Sequence, residues 1–186
     1  MKNWFWDGTY IDHKEPQAIC ELCGQSGLRY HFPIINSVDD SVKYIGSECI
    51  LKFDVSAKAK DGRLLNRNEI RDKINNTRNE ISKQNKVNHV LTVLRKLVAE
   101  EDDLKEMFKN FISYYMDNGY FTPKQLATLQ WKLSTHKVDH NKSHFALSIK
   151  KNIYKDQLRE MERWKINKLM PYMSNSQKEW CNKEIE

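Results

Sequence analysis

The sequence has no apolar run long enough to cross a membrane. A spanning helix needs roughly 20 consecutive apolar residues, whereas 30% of this 186-residue chain is charged and only 39% is hydrophobic. The first residues, MKNWFWDG, also lack the apolar stretch and small-residue cleavage site of a secretory signal. We therefore expect a soluble, cytoplasmic protein whose thiols stay reduced.

Readable catalytic motifs are also missing from the sequence. There is no P-loop, no Gly-x-Ser-x-Gly, no dinucleotide-binding glycine pattern and no His-Glu-x-x-His. The acidic residues form no conspicuous catalytic pair. These absences favour a binding protein over an enzyme.

Cysteine, glycine and proline are scarce, and they are concentrated near the N-terminus. Three of the four cysteines, four of the six glycines and two of the four prolines precede residue 55. We predict two domains from this change in composition: a zinc-binding β-hairpin module at 1–54 and a helical domain at 55–186. The predicted fold class is mainly α, with the small module resembling a treble clef.

The three clustered cysteines predict a metal site. Cys20, Cys23 and Gly24 form a C-x-x-C-G knuckle, in which two sulfurs can reach one tetrahedral ion at about 2.3 Å. Cys49 returns 26 residues after Cys23, where the first turn of a helix can present a third sulfur. We predict structural Zn²⁺ here, taking the place of a hydrophobic core too small to form alone.

Between the knuckle and Cys49, alternating apolar residues predict a β-hairpin. The segments LRYHFPII and SVKYIGS flank the polar linker NSVDD. Tyr30, Phe32 and Ile34 are expected on one face, and His31 and Pro33 on the other. Because proline cannot donate to a ladder, we predict that its strand lies at a sheet edge.

The fourth metal ligand is open at this point. His31 follows the knuckle by eight residues, and His13 precedes it by seven. Three cysteines and one histidine are a common structural zinc set, so we prefer His31, with His13 as the alternative and Asp54 and Cys181 as remoter candidates. The competing interpretation is that the cysteines are ordinary buried thiols.

The pattern CELCG, LRYHF and YIGSECI resembles a group of small bacterial and phage zinc-binding proteins. Their shared features are the knuckle, an aromatic strand and a V/I-G-S-E-C return, and the resemblance covers about a quarter of the chain. It implies a bound metal and a genome-maintenance or mobile-element context. Ser47 stands where some members have a further cysteine, which leaves the fourth ligand open.

From about residue 63 the apolar spacing is helical. We predict one long helical stretch with stripes of Leu, Ile and Val, then a helix over about 104–117 ended by Gly119. Thr122 and Gln125, and likewise Ser174 and Gln177, predict capping boxes. A last long helix is predicted from 143 to 170, and Trp131, Trp164, Trp180, Met161, Met170 and Met173 are predicted to be core residues.

A basic stretch suggests binding to phosphate. Between residues 58 and 86 there are nine Lys or Arg and four acidic residues. We predict nucleic-acid contacts through this stretch, because cations there release counterions from a phosphate backbone. The predicted contact residues are Lys58, Lys60, Arg63, Arg67, Arg71, Lys73 and Arg78.

Two other functions remain open. The acidic run at 100–106, or an aromatic patch, could dock on a host or defence protein, as in a phage adaptor or inhibitor that needs no nucleic acid. Alternatively, His136, His140 and His144 could bind a hydrolytic metal, although turn-forming residues between them favour a polar loop. Trp4, Phe5, Trp6 and Tyr10 could stack on bases, but we favour their packing between the zinc module and the helices.

Overall fold

The computed structural model describes residues 1, 3–59, 61–100 and 105–185. Its strands are β1 (Trp4–Trp6), β2 (Ile11–Asp12), β3 (Tyr30–Asn36), β4 (Val42–Ile45) and β5 (Ser56–Ala57). Its helices are α1 (Ser47–Lys52), α2 (Arg67–Glu100), α3 (Lys105–Asn118), α4 (Pro123–Thr135), α5 (Asn152–Arg159), α6 (Arg163–Leu169) and α7 (Asn175–Glu184), with 3₁₀ turns at Lys142–His144 and Met170–Tyr172. The mainly α class with a small N-terminal sheet is thereby confirmed.

The chain divides into two compact units, Met1–Ser82 and Lys83–Glu186. The division falls inside α2, because the first part of this helix packs with the sheet residues. The predicted module at 1–54 was defined by composition, and its boundary after residue 54 stays a prediction.

β3 is the central strand of the sheet, so the predicted edge position of Pro33 is wrong. β4 pairs along one side of β3, and β1 and β2 pair in succession along the other. Asn36 donates its backbone N–H to Ser41 on the β4 side. Because N–H groups alternate between sides, Pro33 faces the gap between β1 and β2, where no partner needs a donor.

An apolar core lies within the first unit. Phe32 and Ile34 of the hairpin are buried as predicted, and Trp6 is fully buried with its ring edge against Phe32. The first part of α2 adds three isoleucines, and Cys20 and Cys49 belong to the same cluster. Our expectation that a metal replaces such a core is therefore wrong, since the cysteines adjoin one. The remaining members of the cluster are Ile45, Ile50, Val55, Ala57, Ile70, Ile74 and Ile81.

The other N-terminal aromatic residues are less buried than Trp6. Trp4 and Phe5 are half-buried, and Tyr10 is exposed. Lys58 lies over the ring of Phe5, and Lys43 lies over the ring of Trp4.

Local signals for three helix boundaries in the second unit are confirmed. Gly119 follows α3 with φ of +74°, the left-handed conformation expected at a helix C-terminus. α4 begins at Pro123 with Thr122 as N-cap, and Gln125 completes a reciprocal capping box. The same device starts α7, where Ser174 and Gln177 cap each other's backbone.

The predicted single helix from 143 to 170 is wrong. Residues 145–151 are not helical, and α5 and α6 follow as two short helices. Phe121 donates its N–H to Ala146 and accepts from Ser148, while the Gln177 side chain donates to Leu147. These non-local bonds use backbone groups that a continuous helix would need for itself.

Leucine and aromatic side chains fill the core of the second unit. It includes Phe108, Phe121, Phe145 and Met173, with Met161, Met170 and Trp180 partly buried against it. Trp131 and Trp164 were predicted to be core residues, but they are 58% and 52% exposed. None of the described helices is long and apolar enough to span a membrane.

Candidate metal centre

The structure brings Cys20, Cys23 and Cys49 together. Their ligand atoms all lie within 4.8 Å of one another, and within the described parts of the chain they are the only such group of potential metal ligands. The Cys20 and Cys49 sulfurs are 3.5 Å apart, and those of Cys49 and Cys23 are 3.3 Å apart. All three thiols are free, so no disulfide explains the cluster.

Backbone hydrogen bonds fix the knuckle loop that carries Cys20 and Cys23. Ala18 and Leu28 exchange two hydrogen bonds that close the loop at its base. Glu21 donates its N–H to Tyr44 of β4 and accepts from the Tyr44 N–H through its carboxylate. These hydrogen bonds hold the loop against the hairpin.

The third sulfur comes from the first turn of α1, as the sequence predicts. Gly46 precedes this helix, and Cys49 donates its backbone N–H to Gly46. The N–H of Gly46 in turn points at the Cys20 sulfur, at 3.4 Å. One short turn thus supplies both a ligand and a donor to the cluster.

The environment of Cys20 favours its thiolate. Burial opposes ionisation, but N–H groups of Gly46, Leu22 and Cys23 and the Cys49 thiol donate to the sulfur, and together they lower the pKa of Cys20 to about 7. Burial raises the pKa of Cys49 to about 12, and the neighbouring cysteines add to this effect. Because thiolates rather than thiols bind metal, a cation held here would replace the protons of the three sulfurs.

Two of the three sulfur–sulfur separations are close to those of a tetrahedral metal site, and the third lies within 4.8 Å. Two sulfurs bound at about 2.3 Å to one tetrahedral zinc lie about 3.8 Å apart. The observed separations of 3.3 and 3.5 Å need only a few tenths of an ångström of expansion to reach that value. The residues therefore fit a divalent metal, and the arrangement can supply three of its four ligands.

The chain was compared with known proteins at the level of sequence and structure. No family model, curated protein or solved structure matches it. The assignment of the site therefore rests on the geometry of its own residues.

The preferred fourth ligand, His31, is not part of the sulfur cluster in the described structure. Its Nε2 lies 3.0 Å from the carbonyl oxygen of Ile19, which can only accept, so Nε2 carries the proton. Its Nδ1 lies 3.0 Å from His13 Nε2, so the two rings share a hydrogen bond. Both predicted histidines therefore have other partners, and His31 supports the knuckle through the residue that precedes Cys20.

The remoter ligand candidates also have other partners. Asp54 is exposed and accepts from Arg67 at 2.5 Å. Cys181 is fully buried in the second core, with its sulfur 3.7 Å from that of Met173. Among the described residues, none of the four predicted candidates lies with the three sulfurs.

Several of the predicted nucleic-acid residues are engaged within the first unit. Arg63 forms two hydrogen bonds with Glu69, and Arg78 pairs with Glu48 and Ser47. Lys73 donates to two backbone carbonyls, and burial lowers its pKa. Arg71 is exposed, whereas Lys60 and most of the acidic run at 100–106 lie outside the described residues.

The three C-terminal histidines do not converge on one point. His140 contacts the Tyr172 hydroxyl at 2.7 Å and the Val138 carbonyl at 3.0 Å, so both of its ring nitrogens are engaged. His144 packs edge-on against His89, and burial lowers the pKa of both. His136 and these rings are not grouped as metal ligands in the part of the chain that the structure describes.

Two features of functional interest were not predicted from the sequence. The hydrogen bond from the Gly46 N–H to the Cys20 sulfur was not predicted, because every residue type other than proline has a backbone N–H. The exposure of Trp131 could have been found, since the buried Leu126, Leu129 and Leu133 define the core face of α4 and Trp131 falls outside that spacing.

Proposed function

We propose that this protein is a zinc-stabilised, non-enzymatic binding protein that associates with nucleic acid. The metal assignment rests on three free thiols whose sulfur atoms lie within 4.8 Å of one another. The backbone N–H of Gly46 also donates to the Cys20 sulfur. Thiolates of this number suit zinc. The order of knuckle, hairpin and helix start supports a treble-clef arrangement, and the ion is structural because it joins the knuckle to α1.

A cysteine substitution tests the metal assignment directly. We expect Cys49→Ser to abolish stoichiometric zinc, because it removes one of three sulfurs and leaves a weaker ligand. Cys181→Ala is the matched control, since it deletes a buried thiol outside the cluster and should keep one zinc per chain. Metal content measured by elemental analysis of both purified variants decides this, and equal zinc in the two would remove the assignment.

The nucleic-acid part of the proposal rests on the distribution of charge. Residues 1–82 contain twelve basic and twelve acidic residues, so they contribute nothing to the net charge of +6. Residues 120–186 contain thirteen Lys or Arg and seven Asp or Glu. Because four of the five arginines of the first unit form ion pairs, this later region is the better source of phosphate contacts.

Salt dependence tests this part of the proposal. We expect the zinc-loaded chain to bind labelled DNA, with an affinity that falls steeply between 50 and 200 mM salt, roughly tenfold or more when several phosphates are contacted. Fluorescence anisotropy at micromolar protein measures it. No binding at low salt, or an affinity independent of salt, would remove the nucleic-acid role while leaving the metal assignment intact.

A further inference from the structure

A groove in the second unit carries two exposed tryptophans. It has a volume of about 830 Å³ and lies between α4 and residues 160–168. Trp131 and Trp164 both line it, and each exposes more than half of its surface. Large exposed aromatic rings in a concave site usually mark a binding surface, and the apolar floor is completed by Ala127 and Met161.

Lysines accompany both indoles. Lys132 lies 4.5 Å from the Trp131 ring centre, and Lys165 and Lys168 lie 5.2 and 4.8 Å from that of Trp164. An aromatic ring and a nearby cation together suit a nucleotide. The base can stack on the ring, and the cation can contact the anionic phosphate.

The charges at the rim leave the groove cationic. Its two carboxylates are already paired, Glu160 with Lys124 at 3.0 Å and Glu162 with Lys165 at 2.8 Å. No carboxylate among the described residues forms an ion pair with Lys168. The surrounding residues 120–186 also carry six more basic than acidic residues, so the charge of the groove complements a phosphate backbone.

We propose that this groove binds single-stranded nucleic acid, with unpaired bases stacked on Trp131 and Trp164 and phosphates near Lys168. The proposal deepens the nucleic-acid role above and rests on it. Bases in a duplex stack on one another and cannot reach an indole, so the groove selects unpaired strands. Because every base has a flat face, we expect little sequence preference.

The test uses the full zinc-loaded chain, a labelled 20-nucleotide oligo-dT and a 20-base-pair duplex. Trp131→Ala and Trp164→Ala should each weaken oligo-dT binding about tenfold. Trp131→Tyr and Trp164→Tyr should keep most of the affinity, because a phenol still stacks. Lys168→Glu should weaken binding and reduce its salt dependence. Ile153→Ala is the matched control, since Ile153 is 62% exposed on α5 and does not line the groove.

Thermal melting of each variant separates lost contacts from lost fold, and the Lys168→Glu variant keeps the test valid if an alanine variant unfolds. Folded alanine variants that bind oligo-dT like the wild type would overturn the groove but leave the nucleic-acid role. If the wild type bound the duplex but not oligo-dT, the groove would likewise be overturned and the nucleic-acid role would remain. No wild-type binding to either DNA would remove both. A pull-down from nuclease-treated lysate gives one further outcome. If the wild type captured a protein that Trp131→Ala did not capture, while both bound oligo-dT equally, the groove would be overturned as a nucleic-acid site.

Discussion

At the residue scale, Asp12 forms the best-connected ion pair of the first unit. Arg29 donates to both of its carboxylate oxygens, at 2.9 and 3.0 Å, and the Asp12 side chain is only 17% exposed. The Arg29 hydrogen bonds hold the pKa of this carboxyl well below its usual range. A carboxyl with a lowered folded-state pKa stabilises the fold fully above its unfolded value of about 3.9, and this stability is lost as the pH falls.

We therefore expect Asp12→Asn to lower the free energy of unfolding by about 1 kcal/mol at pH 7, given that Arg29 is partly exposed and its charge is screened. The difference from wild type should shrink as the pH falls below about 4. Urea titrations at several pH values measure it. Asp72→Asn is the control, since no hydrogen bond or ion pair joins Asp72 to another described residue. A pH-independent difference would contradict the role of the ion pair.

The cysteine ligands could be predicted from sequence, but the partners of the histidines could not. The spacing of Cys20, Cys23 and Cys49 in the sequence predicts that their sulfurs come together, and the structure confirms it. His31 faces away from the hairpin core as predicted, yet its partners, the Ile19 carbonyl and His13, come from segments whose paths depend on the whole sheet. Residue type and strand register alone do not determine which group each histidine bonds.

At the element scale, α4 depends on a reciprocal cap. Thr122 Oγ1 accepts from the Gln125 N–H at 3.2 Å, and Gln125 Oε1 accepts from the Thr122 N–H at 3.0 Å. We expect Thr122→Ala to lower the free energy of unfolding by about 1 kcal/mol, because it leaves an N-terminal donor of the helix without its partner.

Thr128→Ala in the same helix is the matched control. Its hydroxyl only bonds back to Lys124, so its loss should be nearly neutral. Equal destabilisation of the two variants, measured by chemical denaturation, would contradict the capping role.

Elements marked by local signals were predicted correctly, and those set by distant contacts were not. The hairpin and both capping boxes depend on residues within a few positions of each other. The break at 145–151 depends instead on Phe121 and Gln177, which bond to its backbone from other elements. The central place of β3 likewise depends on β1 and β2, whose short sequences give a weak strand signal.

At the scale of the whole molecule, each compact unit has its own apolar core. All buried members of the first core lie before residue 83, and all those of the second lie after it. The three clustered cysteines, which could hold a metal ion, all belong to the first unit. Ion removal should therefore destabilise residues 1–82 much more than residues 83–186, because zinc binding free energy is folding free energy for the unit that holds the ion.

The most direct test of this account is thermal melting of the purified chain, with and without a strong chelator, alongside its zinc content. We predict one zinc per chain, and a chelator that lowers the melting temperature of the first unit by well over 10 °C while the second unit retains its helices. No stoichiometric zinc, together with identical melting curves in the presence and absence of chelator, would contradict the claim that a metal ion held by Cys20, Cys23 and Cys49 stabilises the first unit.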